Sequence, residues 1–373
     1  MKRQGRMKVL EISSYPPPRS GWGMRVYFVK REMEKQGHIC TVLNTGKGRF
    51  LADRDFVPVF GGIDYALKVL KYRLKGYLVH MHLNGDSPKG FILTFLSLLI
   101  SILTLRRPII TFHAGPVQKY FPQKQAPYLT LLYKFIFTIP RHIICNNEIV
   151  KKTIMSYGIS SRKIIPIQAF SVQYLDFEKM SLSKDIEDFF NKYTNIISSY
   201  VFYRPEFFVE NMIKSMKSLL EKTKDFGLII MGSDIESDNI KILIDDMKIK
   251  EHVLIVGDRD HDEFLTILSR SKIYLRTPVK DGVCSSVLES LYLGVPVVAS
   301  ENGTRPASVI TYHNGDIDDM VEKIFHTLEN HTDITHAVVR PKISDTVCDE
   351  IEVLRDKDYS QLATALSGNG DHK

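Results

Sequence analysis

KDGVCSSVLESLYLGVPVVASENG, residues 280–303, reads as one complete loop–helix–strand unit. An acid–glycine loop leads into a helix from Ser285 or Ser286, Gly294 stops that helix, and an apolar strand runs over 296–300. The amides of Val283 to Ser286, with Gly282 and Cys284 between them, fall at the open helix start, where anionic oxygens bind well. Asp281 and Glu289 stand eight residues apart, one carboxylate in the loop and the other about one turn into the helix. Such a pair can hold two sets of ligand hydroxyls. The plainer alternative is a helix cap and a surface charge.

Outward from this stretch the same unit repeats. NIISSY (195–200), GLIIMGS (227–233), HVLIVG (252–257) and KIYLRT (272–277) read as strands separated by helical segments. The first half behaves likewise, with KVLEIS (8–13), HICTVLN (38–44), YLVHMHL (77–83), PIITFHA (108–114) and HIICNN (142–147). Strands alternating with helices predict parallel sheets covered on both faces. The expected architecture is therefore two Rossmann-like doubly wound α/β domains facing a cleft, over 1–175 and 176–345. Residues 346–373 would form a tail that packs back or is partly disordered.

The chain has 373 residues, 44% hydrophobic and 25% charged, the composition of a globular protein. Its four cysteines lie far apart without CxxC spacing, which argues against a zinc site and a secreted disulfide framework. The basic N-terminus has no apolar run of signal-peptide length, so a cytoplasmic location is expected. Charge is uneven: residues 1–180 hold 28 Lys+Arg against 10 Asp+Glu, the remainder 22 against 33. A basic half without a nucleic-acid motif suits an anionic lipid surface, or simply solubility and a phosphate-binding cleft. FILTFLSLLISILTL (91–105) carries no charge but is too short to span a bilayer. It reads as a buried sheet-covering helix or as one lying in the membrane interface.

Acid-Gly-x5-Leu-Glu followed by Leu-Gly-Val-Pro-Val-Val-Ala-Ser resembles the donor-site signature of the retaining GT-B glycosyltransferases of family 4. The resemblance extends to GLIIMGS, to HVLIVGDRDHDEFLTIL and to SYGISSRKIIPI (156–167), most of the chain. It implies a nucleotide-sugar donor held by Asp281 and Glu289, and by Gly282, Val283, Cys284, Ser285 and Ser286. The loop PPRSGWG (17–23) is similar to the family's glycine loop, which implies a phosphate role for Gly21 and Gly23. His113 takes the place of a family histidine near the reacting sugar; His80 and His82 read as ordinary strand residues. Thr304-Arg305-Pro306 resembles a run in members that build bacterial surface polysaccharide.

The chain departs from the family where two diphosphate-neutralising cations are usual. Ser199-Tyr200 stands at the Gly-Arg place and Arg204-Pro205 at or beside the lysine. Arg204 is then the expected phosphate cation, with Arg25, Arg259 or Lys280 in support. The Pro-Asn-Gly-Val turn is replaced by Pro166-Ile167-Gln168-Ala169. The resemblance implies retaining, metal-independent transfer to a glycan or lipid-linked acceptor, with no cofactor, in surface-polysaccharide synthesis at the inner face of a membrane. A degenerate non-catalytic partner and a nucleotide-sugar epimerase of the same fold are the rival expectations.

Overall fold

The computed structural model describes residues 6–17, 21–50, 55–115, 118–232, 238–279, 284–303 and 305–355. The chain divides into two compact units at Gln173/Tyr174 and again at Ile343/Ser344. The first unit therefore takes back the segment after Ser344. Sequence had put that second boundary at 345/346.

In the first unit the elements are β1 (Lys8–Ser13), α1 (Gly21–Lys35), β2 (Ile39–Asn44), β3 (Val57–Pro58), α2 (Gly62–Leu74) and β4 (Leu78–Leu83). They continue with α3 (Pro88–Leu103), β5 (Ile109–Phe112), α4 (Thr130–Thr138), β6 (Ile143–Cys145), α5 (Glu148–Met155) and β7 (Ile164–Pro166). The second unit holds α6 (Lys184–Lys192), β8 (Ile196–Tyr200), α7 (Val209–Lys222), β9 (Gly227–Met231), α8 (Asp238–Asp246), β10 (Val253–Gly257) and α9 (His261–Arg270). There follow β11 (Ile273–Arg276), α10 (Ser285–Leu293), β12 (Val297–Ser300), β13 (Val309–Tyr312), α11 (Ile317–Glu329) and α12 (His331–Ala337). Finally α13 (Thr346–Arg355) returns to the first unit.

Both sheets are parallel, in the orders β3-β2-β1-β4-β5-β6-β7 and β10-β9-β8-β11-β12-β13. Each runs one way from its first strand and then reverses, so the switch points lie between β1 and β4 and between β8 and β11. Ligands of open α/β sheets bind outside the carboxyl ends of strands at such points.

Burial on both faces explains why strands such as VLIVG and GLIIM carry almost no polar residue. Two glycines are fixed by geometry. Gly294 ends α10 with φ +78°. A Cβ on Gly232, where φ is +130°, would stand 1.7 Å from the Val201 carbonyl oxygen.

The uncharged segment 91–105 falls in α3 and just beyond it and covers the sheet, and its outer face is apolar as well. Ser87 caps it by accepting from the Gly90 amide. Phe91, Thr94, Ser97, Leu98 and Ser101 point inward. Ile92, Phe95, Leu99, Ile102 and Leu103 point out, Ile92 at 62% and Leu103 at 73% exposure. The neighbouring α2 turns Ile63, Leu67, Leu70 and Leu74 outward at the same helical spacing. No helix among the described residues is long and apolar enough to cross a membrane.

Candidate functional site

At the switch point of the first unit, Glu11 on β1 faces His80 on β4 in the strand register. Its carboxylate lies 2.9 Å from His80 Nδ1 and 2.7 Å from His82 Nε2, with all three side chains fully buried. His80 Nε2 is 2.8 Å from the Thr111 hydroxyl, and His82 Nδ1 is 2.8 Å from His113 Nε2. Burial alone would raise the pKa of Glu11, but the charge and hydrogen bonds of His80 and His82 hold it down at about 2. Burial lowers His80, yet the Glu11 carboxylate outweighs that and raises it. His82 is lowered by burial and by His80, and His113 well below its usual value by burial, His82 and His80.

These directions assign the protons. A carboxylate only accepts, so neutral His82 donates through Nε2, and its bare Nδ1 accepts from His113 Nε2. His113 is thereby left with Nδ1 as an acceptor. Trp22 meets the His113 ring edge-on at 5.3 Å.

Glu11, His80 and His82 also gather closely enough to be considered as metal ligands. Two ligands on a tetrahedral zinc stand about 3.4 Å apart, given bonds of about 2.1 Å. The separations of 2.7 and 2.9 Å are hydrogen-bond lengths instead. As arranged, these groups satisfy one another.

The glycine loop enters at the start of α1. Gly21 and Gly23 are its first and third residues, so their amides belong to a helix start, and neither has positive φ. Pro18, Arg19 and Ser20 lie outside the described residues. Arg25, two residues on, cannot serve as a phosphate cation. It is fully buried, with Nε 2.6 Å from Glu350 Oε2, and it donates to the Thr346 hydroxyl and carbonyl and to the Ala169 carbonyl. Its charge is spent on tying α13 to α1.

At the switch point of the second unit, β8 ends at Tyr200 and β11 at Arg276. Arg276 donates to the Tyr200 carbonyl at 2.6 Å and lies 5.4 Å from the Phe207 ring centre. The Tyr200 hydroxyl donates to Asp258 at 2.6 Å. Arg204 is exposed, stacked over Phe202, and lines a cleft of about 410 Å³ with Tyr203, Pro205, Phe208 and Asn211. Arg259 is half-exposed and pairs with Glu263 at 3.3 Å.

Cys284, the N-cap of α10, makes no side-chain cap hydrogen bond. Cys284, Ser285 and Ser286 are half-buried there, with Ser286 accepting from the Tyr274 hydroxyl at 2.7 Å. Glu289 lies one turn in and is 2% exposed, its Oε1 2.9 Å from His261 Nε2. Lys280, Asp281, Gly282 and Val283 lie outside the described residues, as does Thr304. Arg305 donates to the Ser300 and Pro278 carbonyls, bracing the end of β12.

Residues 185–334 match the family model described as glycosyl transferases group 1. That span makes up most of the second unit. An uncharacterized glycosyltransferase of Methanocaldococcus jannaschii is 22% identical over 254 residues, 65% of this chain and 60% of that protein's own length. Among solved structures, sucrose-phosphate synthase of Thermosynechococcus elongatus superposes with TM-score 0.67 at 16% identity, covering 96% of this chain and all of that one. Anabaena HepE, solved with UDP and glucose, gives 0.64 at 14% identity over 97% of this chain and 100% of that one. A Listeria monocytogenes chain assigned as a UDP-N-acetylglucosamine 2-epimerase gives 0.65 at 15% identity, over 96% and 98%. The fold is GT-B, as the sequence led one to expect.

Within the second unit, sequence reasoning missed Arg276. The signal was present: a cation closing an otherwise apolar strand, KIYLRT, at the carboxyl edge. In the first unit it passed over Glu11, His80 and His82, whose connection depends on strand register.

Proposed function

We propose that the protein is a retaining, metal-independent glycosyltransferase. Its second unit takes a nucleotide sugar, and its acceptor is a glycan or a lipid-linked saccharide, in surface-polysaccharide synthesis. The observation that supports this best is the start of α10 at the carboxyl edge of the sheet, where the N-cap Cys284 makes no side-chain cap bond, with Glu289 one turn in. Arg204 and Arg276 bring positive charge to the same edge, where charge on the departing diphosphate must be stabilised. The departing phosphate itself would accept the acceptor's proton, so no protein base is required. In the first unit, the family resemblance gives His113, through its accepting nitrogen, and the amides of Gly21 and Gly23 a part in the reaction.

The test is incubation with a panel of nucleotide sugars, followed by product NMR and by thermal shift with nucleoside diphosphates. Transfer or slow hydrolysis with retained anomeric configuration is expected. An epimerised donor, or no chemistry and no stabilisation by any nucleoside diphosphate, would overturn the reading.

The reading extends to a peripheral place on the inner face of an anionic membrane. A helix facing water would carry polar side chains at 92, 95, 99 and 102; α3 carries Ile, Phe, Leu and Ile there and keeps its serines inside. Residues 56–140 hold ten Lys or Arg against two acids, so a basic surrounding frames this apolar face. Full-length chain should sediment with anionic vesicles, more weakly at high salt, and Leu67→Glu/Leu99→Glu should abolish this. Absence of binding to any vesicle would leave a soluble acceptor.

A further inference from the structure

A second cavity lies wholly within the first unit, at the carboxyl ends of β1, β2 and β4 and the start of α3. Its walls include Ser13, Trp22, Thr45, Asn84, Ser87 and Lys89, above a floor of Met81, Leu83 and Leu93. At about 220 Å³ it has room for roughly seven waters of about 30 Å³ each, or for one sugar ring.

The wall chemistry narrows the occupant. Ser13 is 3% exposed, and its hydroxyl has no hydrogen-bond partner in the protein. A buried hydroxyl left so is destabilising unless something entering the cavity satisfies it. Trp22 offers an indole surface to the C–H face of a ring. Lys89 follows Ser87, the α3 cap, so an ammonium and the first amides of a helix share one wall. Its Nζ reaches the Thr45 carbonyl only at 3.5 Å. Among the described residues no Asp or Glu lines the cavity. Hydroxyl and amide groups, one aromatic wall and one cation without a matching anion describe a site for a negatively charged sugar.

We propose that this cavity is a saccharide subsite that takes a sugar ring bearing a phosphate or a carboxylate, the anionic group at Lys89 and a ring hydroxyl at Ser13. It rests on the glycosyltransferase reading only in being the place of the acceptor; the binding itself does not.

Trp22 is the chain's single tryptophan, so its emission reports on this cavity. The full chain is titrated with glucose 1-phosphate, glucuronate, glucose and inorganic phosphate. At least one charged sugar should give a saturable change at concentrations tenfold or more below glucose, and which one responds identifies phosphate or carboxylate. Lys89→Ala should weaken that response at least tenfold and Ser13→Ala by a smaller factor, both with unchanged melting temperature.

No response to any sugar would overturn the proposal. So would equal binding of glucose, a full response to inorganic phosphate alone, or an unaffected Lys89→Ala chain. UDP is tested in parallel by thermal shift. A chain stabilised by UDP but silent to sugars loses the subsite and keeps the transferase; one that binds sugars but no nucleoside diphosphate does the reverse.

Discussion

The two switch points share a topology and differ in how their polar groups are satisfied. In the first unit Glu11, His80, His82 and Thr111 bond to one another and are buried, with His113 at the rim and His82 bordering the cavity above β4. In the second, Arg204 is exposed, whereas Arg276 is buried and anchored through the Tyr200 carbonyl. One edge is wired before any ligand arrives; the other presents one exposed cation, Arg204, beside an anchored one. A desolvated network is expensive to break and fixes direction, whereas a solvated cation such as Arg204 costs little and supplies attraction.

The largest expected effect tests the wired side. Glu11→Ala leaves a raised-pKa His80 buried without its carboxylate, and should destabilise the protein by about 3–5 kcal/mol in urea titrations. A loss below 1 kcal/mol would mean that the network is not carrying charge.

On the other side, Glu289→Gln keeps a partner for His261 and removes the charge. Charge-assisted bonds to ligand hydroxyls are worth about 1.5–3 kcal/mol, so kcat/KM should fall at least tenfold while the melting temperature holds. Unchanged kcat/KM with a good donor would remove Glu289 from the donor site. Arg204→Ala should weaken a nucleoside diphosphate more than the nucleoside by calorimetry. Equal effects would hand the phosphate to Arg276 or Arg259, and Arg276→Ala then shows which.

The smallest effect is in pH. His113 has a folded pKa below its unfolded value of about 6.5, so it binds fewer protons when native, and stability rises with pH. That contribution is intact above about pH 6.5 and is lost as pH falls toward its folded value. His80, raised, works the other way: its contribution is whole below about pH 6.5 and fades as pH climbs through its folded value. His113→Asn should therefore flatten the acid side of the stability–pH curve. A parallel curve would place His113 outside the network's proton balance.

Much of the fold was legible because each parallel strand is an apolar run bounded by punctuation. GLIIMGS and HVLIVG announced β9 and β10 to within two residues. The short β3, β7 and β13 were not announced; two to four residues carry too little pattern. Of the site, the α10 start followed from Gly294 and the apolar strand beyond it. Glu11 did not stand out, because a lone acid in KVLEIS signifies nothing until register places it opposite His80, 69 residues away. For α3, absence of charge could not say which face was inside. That was decided by Tyr65, whose hydroxyl bonds to Ser97 and to the Leu93 carbonyl.

The return of α13 has a consequence during synthesis. Arg25 emerges from the ribosome early, yet the carboxylate that neutralises it is 325 residues further along. Until Glu350 and Thr346 are made, the first unit holds a cation in its interior with nothing to match it. Meanwhile every residue of the second unit has already been translated. The nascent chain should therefore complete its middle before its beginning, and a released chain truncated after residue 343 should display a protease-resistant second unit beside a first unit still open to cleavage.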